Sequence, residues 1–551
     1  MSVRMRVGLE TPMRDGALLS TDLYLPAEGE RFPVLLCRTI YDNQMPQYVD
    51  WATRFADAGF AVAIQDCRGR YDSDGLWEPY VHETEDGIDT HEWIGCQPWC
   101  DGNVGTFGIS YVGFTQILPA PGGSSYLKAV MPIANQEDNF GHLWIDGVFQ
   151  LQIGVYFFQM GRHTMQDTTA ARMNLEPVYT RLPVCNALDD IGQSAPLKEF
   201  LSHPTFDEYW KSYSMKGRYE DINVPAYFIT GWYDNLVHEQ FKVFRAWTSE
   251  PKREDARRFT KILVGPWSHY EIGERPTVGR DFGAAAAVDI PALHIRWYDQ
   301  WLRGSDTGIN EEPPLRIWVM GDDIWRDEHE WPLARTRFTR YHLGSGGSAN
   351  TLDGDGFLSE TPPTAGRPDE FEYDPHNPVP TVGGQSLFLV NTGPRDRREL
   401  EHRHDVLVYT GERLERDIEV TGPVEVILHA ATTARDTDFT ATLVDVYEDG
   451  TALIVCEGIV RARYRDSVES PELIVPGEVY QYRIDLWETS QVFKAGHRIR
   501  LEISSSNFPR FDRNLNTGSA IGMDDQVLTA RQAVYHDADR PSHILLPVIP
   551  R

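Results

Sequence analysis

The sequence predicts an α/β protein extended by an all-β half, and three observations carry that prediction. Short apolar runs alternate with helical stretches over the first 135 residues. A block with helical spacing and no strand alternation follows at 136–221. Beyond residue 312 the pattern changes to short alternating strands divided by turn residues.

The first set of runs is Phe32–Leu36, Phe60–Ile64, Val104–Phe107 and Ala129–Ile133. Continuous apolar runs of this length suit strands buried on both faces of a parallel sheet. The same texture returns at Ala226–Thr230 and Lys261–Gly265 and completes the sheet. In the intervening block Leu143, Trp144, Val148, Phe149, Ile153, Tyr156, Phe157 and Met160 recur at helical spacing. Such a stripe is ordinary core packing on its plainer reading. Its insertion between sheet strands, where open α/β sheets bind ligands, also makes it a cap over a pocket, with Trp144 and Phe149 as lining residues.

A helix over Leu293–Leu302 is expected to end at Gly304, and Gly308, Pro313 and Pro314 read as a linker. The strands then begin with Leu315–Val319 and include Val424–Leu428, with a hairpin turn at Glu448-Asp449-Gly450. The expected division is a core of 1–135 with 222–311, a cap of 136–221, and a β-sandwich or jelly roll of 312–551. A chain of 551 residues exceeds the roughly 250–300 that one core sustains.

Lysine and arginine total 52 against 82 aspartates and glutamates, a net charge of −30. That charge repels phosphate backbones and anionic lipids, which argues against nucleic-acid and membrane partners. No opening apolar run suggests a signal peptide or span, so a cytoplasmic protein is expected. The six cysteines form no CxxC pair, and no metal site, disulfide scaffold or cofactor is implied. Asp353-Gly354-Asp355-Gly356 lacks the later ligands of a calcium loop and reads as a turn. A small-molecule partner is then expected, and association into a homo-oligomer is left open.

The chemistry concentrates at Gly105-Thr106-Phe107-Gly108-Ile109-Ser110-Tyr111-Val112-Gly113. Ser110 stands between a strand-like and a helix-like run, where a nucleophile on a tight turn needs small neighbours. The second glycine comes one position later than in GxSxG, and a Gly-flanked turn serine is the bland alternative. Chain order adds weight, because nucleophile, acid and histidine follow successive strands in an α/β hydrolase. Asp234 follows the run ending Gly231-Trp232-Tyr233, and His269 follows Gly265-Pro266-Trp267-Ser268.

These segments resemble the cocaine-esterase-like and X-prolyl dipeptidyl-peptidase-like (CocE/NonD) acyl hydrolases. The resemblance includes Tyr41-Asp42, Gln65-Asp66-Cys67-Arg68-Gly69-Arg70, Trp99–Gly105 and the three motifs above. It continues through Val319-Met320-Gly321, Trp325-Arg326-Asp327, Trp331-Pro332, Tyr373-Asp374-Pro375 and Pro378–Thr381. It implies an α/β-hydrolase core with helical cap and C-terminal jelly roll, and GxSYxG as the family's own variant. It further implies catalysis by Ser110, Asp234 and His269 through an acyl-enzyme, with the Tyr41 hydroxyl and the Tyr111 backbone N–H as oxyanion donors. From the residues alone, Tyr41 is a strand-end tyrosine.

Leu387 and Phe388 resemble a loop that reaches the acyl pocket in this family, and sandwich core is the equal alternative. Asn235, Leu236 and Val237 stand where amino-acid ester hydrolases carry ammonium-binding carboxylates. That implies a neutral acyl group, with Leu236 lining its pocket. An amidase or X-prolyl peptidase remains the nearest alternative, and an inactive core carrying a sugar-binding jelly roll the remote one.

Overall fold

The computed structural model describes residues 3–166, 173–192, 195–388 and 392–551. The chain opens with an antiparallel pair, β1 (Arg4–Pro12) and β2 (Leu18–Leu25). Strands β3 (Phe32–Thr39), β4 (Ala61–Asp66), β5 (Cys100–Ile109) and β6 (Leu127–Ile133) follow, separated by helices α1 (Pro46–Asp57), α2 (Glu83–Gly95) and α3 (Tyr111–Ile117). The insertion holds α4 (Asn139–Leu143), a small hairpin of β7 (Trp144–Ile145) and β8 (Val148–Phe149), and α5 (Leu151–Gln159). Shorter helices at Glu176–Thr180, Ala195–Ser202 and Glu208–Lys211 complete it. The chain returns with β9 (Tyr227–Tyr233), β10 (Lys261–Ser268), β11 (Leu315–Val319) and β12 (Ile324–Glu328).

These strands form one ten-stranded sheet in the order β1-β2-β4-β3-β5-β6-β9-β10-β11-β12, together with the separate β7-β8 pair. Every pairing from β4 through to β11 is parallel, and the outer pairs are antiparallel. Each residue of β3 and β4 is buried, as helices on both faces require. From β3 the chain goes to β4 on one side and then to β5 on the other. The loops leaving β3 and β5 diverge at this reversal and open a crevice at the carboxyl ends of the strands.

One expectation is corrected here. Leu315–Val319 does not begin the β-rich part but pairs in parallel with β10, Ile262 opposite Leu315, and β12 closes the core sheet beyond it. The residues read as a linker lead straight into the sheet, with Ile262 N–H donating to the Pro314 carbonyl at 2.8 Å. The helix Ile290–Arg303, ended by Gly304 at φ 68°, serves as the crossover that returns the chain to the open edge of β10. By hydrogen bonding the core sheet therefore continues through Glu328.

The remaining strands, from Arg337–Gly344 to His543–Ile549, pair mainly antiparallel around their own core, which includes Phe371, Tyr409, Val426, Phe439, Leu501 and Leu546. The Glu448–Gly450 turn joins Asp438–Val446 to Ala452–Arg461 as expected, with Gly450 at φ 87°. This domain also holds the insertion in place. Asp512 accepts the Phe149 N–H at 3.1 Å and donates its own N–H to the Phe149 carbonyl at 2.9 Å. Arg461 locks the Asp512 carboxylate at 2.9 Å while pairing with Asp438 at 2.8 and 2.9 Å. Among the described residues no helix is long and apolar enough to cross a membrane.

Asp66, the last residue of β4, is fully buried. One carboxylate oxygen accepts the Asn43 N–H at 2.8 Å, and the other is buried without a hydrogen bond of good geometry from the described residues. Burial pushes its pKa from 3.8 up to about 8. Because the folded value is the higher one, this group's contribution to stability is full below pH 3.8 and is lost as pH rises through about 8. Asp66→Asn is expected to remove that slope, so its melting temperature should gain on the wild type steadily between about pH 5 and pH 8. Two melting curves that stay parallel across this range would refute the assignment.

Candidate active site

Ser110 sits at the carboxyl end of β5 and starts α3. Its backbone, at φ 67° and ψ −126°, lies where a non-glycine residue is strained. Hydrogen bonds hold it there: Ser110 N–H donates to the Ile133 carbonyl at 2.9 Å, and its own carbonyl accepts from Gly113 and Phe114 at 2.8 and 3.2 Å. A Cβ on Gly108 would lie 2.1 Å from Val112 Cγ1, and one on Gly113 would lie 2.7 Å from the Ile133 carbonyl. The late glycine thus lets α3 cross close to β6, while Val112 packs into the core over Gly108.

His269 follows β10, and Asp234 follows β9. His269 Nδ1 lies 3.2 Å from each carboxylate oxygen of Asp234, which is fully buried. Asp234 Oδ1 also accepts the Leu236 N–H at 2.8 Å, which fixes the carboxylate. Chain segments 35 residues apart meet in this way because β9 and β10 are parallel neighbours.

Tyr41 follows β3, on the other side of the strand reversal from Ser110. It lines the same cavity as Ser110, Tyr111 and Tyr156. Burial pushes its phenol up, and the neighbouring Ser110, Tyr111 backbone and Tyr156 oppose the shift. The Tyr111 ring turns elsewhere: its hydroxyl donates to Glu83 at 2.9 Å, accepts the Tyr80 N–H at 2.8 Å, and the ring stacks on Tyr80. Its N–H, in the first turn of α3, has no intrahelical acceptor and is free to serve a ligand.

Ser110, His269, Tyr41 and Tyr111 line one cavity of about 350 Å³. Leu236 and Leu387 line it too, so the β-rich domain contributes directly. Trp144 and Phe149 do not. They are buried with ring centroids 4.9 Å apart, part of the core that carries the insertion. Phe388 does not line the cavity either and packs edge-on to Tyr156 at 6.3 Å. The helical stripe divides: Leu143, Trp144, Val148 and Phe149 are buried in the core, with Trp144 stacked on Phe140, whereas Ile153, Tyr156, Phe157 and Met160 line the cavity.

His142, which the sequence did not single out, also lines the cavity. His142 Nε2 accepts from Asn235 Nδ2 at 3.2 Å, and burial pushes the imidazole down to about 4, leaving it neutral. Among the described lining residues the only carboxylate is Glu274, which is exposed. A second Ser/His/Asp group in the β-rich domain differs in kind. Ser345 Oγ bonds Asp369 at 2.7 Å, and His536 Nε2 faces both at 3.0 and 2.9 Å. One nitrogen serves both partners, so no proton can pass from serine through the ring to the acid, and the cluster is structural. Asp355 accepts the Gly346 and Ser348 N–H groups, as a turn residue does.

The profile of the X-Pro dipeptidyl-peptidase (S15) family matches residues 15–271, and that of the X-Pro dipeptidyl-peptidase C-terminal non-catalytic domain matches 307–545. Cocaine esterase of Rhodococcus sp. (strain MB1 Bresler) is 39% identical, covering 98% of each chain. The chain belongs to the cocaine-esterase-like (CocE/NonD) family of serine acyl hydrolases. Solved structures of the same fold include an aminopeptidase from a marine-sediment Thaumarchaeota archaeon, with TM-score 0.86, 23% identity and coverage of 100% and 97% of the two chains. An α-amino-acid ester hydrolase matches with TM-score 0.85, 24% identity and coverage of 99% and 96%. The fold class expected from the sequence, an α/β-hydrolase core with a C-terminal β-rich domain, is the one these CocE/NonD-type structures share. The second family profile begins at 307, ahead of β11, although β11 and β12 hydrogen-bond within the core sheet.

Proposed function

We propose that this serine hydrolase is a carboxylesterase that prefers a neutral acyl group and acts through Ser110, His269 and Asp234. The observation that carries the reading is the meeting, around one cavity, of a serine on a strained strand-to-helix turn and a histidine held by a buried carboxylate. Ser110 Oγ attacks the ester carbonyl while His269 Nε2 takes its proton. Asp234 holds the ring by Nδ1 and stabilises its charged form. The negative oxygen of the tetrahedral intermediate takes hydrogen bonds from the Tyr41 hydroxyl and the Tyr111 N–H. His269 then protonates the departing alcohol, and water, activated by the same base, releases the acid.

The likeness to cocaine esterase supports ester cleavage. Asn235, Leu236 and the neutral His142 support a neutral acyl group, because a buried ammonium without a carboxylate costs several kcal/mol. Methyl phenylacetate is therefore expected to exceed phenylglycine methyl ester in kcat/KM by at least about tenfold, after correction for intrinsic reactivity. X-prolyl p-nitroanilides, which present an ammonium, should rank lower still. Equal turnover of the two methyl esters, or faster turnover of the anilides, would replace this reading with an aminoacyl or peptidase one.

A further inference from the structure

We propose that Arg70 is a positioning residue that ties the turn carrying Tyr41 to the inserted segment and so keeps the Tyr41 hydroxyl in place for the reaction. The proposal rests on the reading of Tyr41 as an oxyanion donor. Tyr41 stands on an irregular turn, in which Asp42 takes φ 94°, a conformation that a residue with a side chain rarely adopts. Such a turn keeps its shape only where its surroundings impose it. Three side chains do so. The Thr39 hydroxyl accepts the Tyr41 N–H at 2.9 Å, Asp66 accepts the Asn43 N–H at 2.8 Å, and Arg70 Nε donates to the Ile40 carbonyl at 3.0 Å.

Of the three, Arg70 also reaches the insertion. Its Nη1 donates to the carbonyl of Met160, the residue just past α5, at 2.7 Å. The guanidinium is rigid and planar, so two carbonyls bonded to it are held at one separation. Ile40, Tyr41 and Met160 all line the cavity. The residues beside Arg70 repeat the fastening. The Tyr71 N–H donates to the His163 carbonyl at 2.8 Å, His163 Nδ1 lies 3.1 Å from the Gly69 carbonyl, and the Met165 N–H donates to the Tyr71 hydroxyl at 3.2 Å.

The surroundings of Arg70 point to placement rather than to general stability. It is fully buried, and among the described residues it forms no ion pair with a carboxylate. Taking an unpaired charge out of water costs several kcal/mol. Two neutral carbonyls and the face of Trp77, 4.7 Å from the guanidinium carbon, offset part of that cost. An apolar side chain of similar length would fill the space without it, and would leave the Ile40 and Met160 carbonyls unjoined.

The test is a double-mutant cycle of Arg70→Met and Tyr41→Phe on a p-nitrophenyl ester, with kcat referred to the sites that a fluorophosphonate probe labels at completion, so that misfolded protein does not count. Arg70→Met should lower kcat about 10- to 100-fold with KM within about threefold, and in the Tyr41→Phe background it should have no further effect on kcat. Arg70→Lys, which keeps the charge but not the fork, should fall between Arg70→Met and the wild type. If Arg70→Met does not fold, the same cycle is read with Arg70→Lys. In either variant, an unchanged kcat per labelled site, or an undiminished loss in the Tyr41→Phe background, would overturn the proposal and leave Arg70 a packing residue. If Tyr41→Phe by itself leaves kcat unchanged, the oxyanion reading fails and takes this one with it. If Tyr41→Phe is crippled and the Arg70 variants are not, only the role of Arg70 is lost.

Discussion

Ser110→Ala is expected to lower kcat for an activated ester by about 10⁴–10⁶-fold, because nucleophile, base and acid act as a unit and removing one member removes the covalent route. The fold should survive. Alanine keeps the Cβ that Ser110 already places at φ 67°, so the backbone strain is unchanged, and the Ser110 N–H and carbonyl bonds do not involve the side chain. A melting temperature equal to that of the wild type, together with loss of turnover, is the predicted pair of results. A fluorophosphonate probe should label the wild type at Ser110 and fail to label the variant. Labelling at any other residue, Ser345 included, would show the nucleophile to be misassigned.

Tyr41→Phe should cost roughly 10²–10³-fold in kcat and little in KM, since a donor aimed at the oxyanion strengthens its bond only as charge develops there. The Tyr111 N–H would remain as the second donor and sustain the residual rate. The contrasting case is a tyrosine that merely packs at the end of β3. Phenylalanine would then keep near-normal kcat and show at most a small loss of stability. Measuring kcat, KM and melting temperature for this one variant separates the two.

The sequence displayed what depends on local pattern. Apolar runs marked the buried strands of the core, Gly108 and Gly113 marked a turn beside Ser110, and the order Ser110, Asp234, His269 followed the strand ends. It was silent where placement depends on tertiary pairing. Leu315–Val319 carries an alternation that suits an antiparallel strand as well as the edge of a parallel sheet, and only the crossover from Ile290–Arg303 decides between them. Trp144 and Phe149 share their helical spacing with Tyr156, yet the turn between β7 and β8 sends two of the rings into the core and leaves the third at the cavity. His142 and Asn235 are brought together by the fold across 93 residues, and nothing in the neighbourhood of either residue announces the other.

The grip of Asp512 on Phe149 spans 363 residues of chain. During synthesis the core strands and the inserted segment leave the ribosome long before Asp512 and its lock, Arg461, are made. A nascent chain can assemble β1 to β10 around Ser110, Asp234 and His269 and still lack the fastening that sets α5 over them. A chain cut short before residue 512 would carry Ser110, Asp234 and His269 but lack this fastening of the inserted segment.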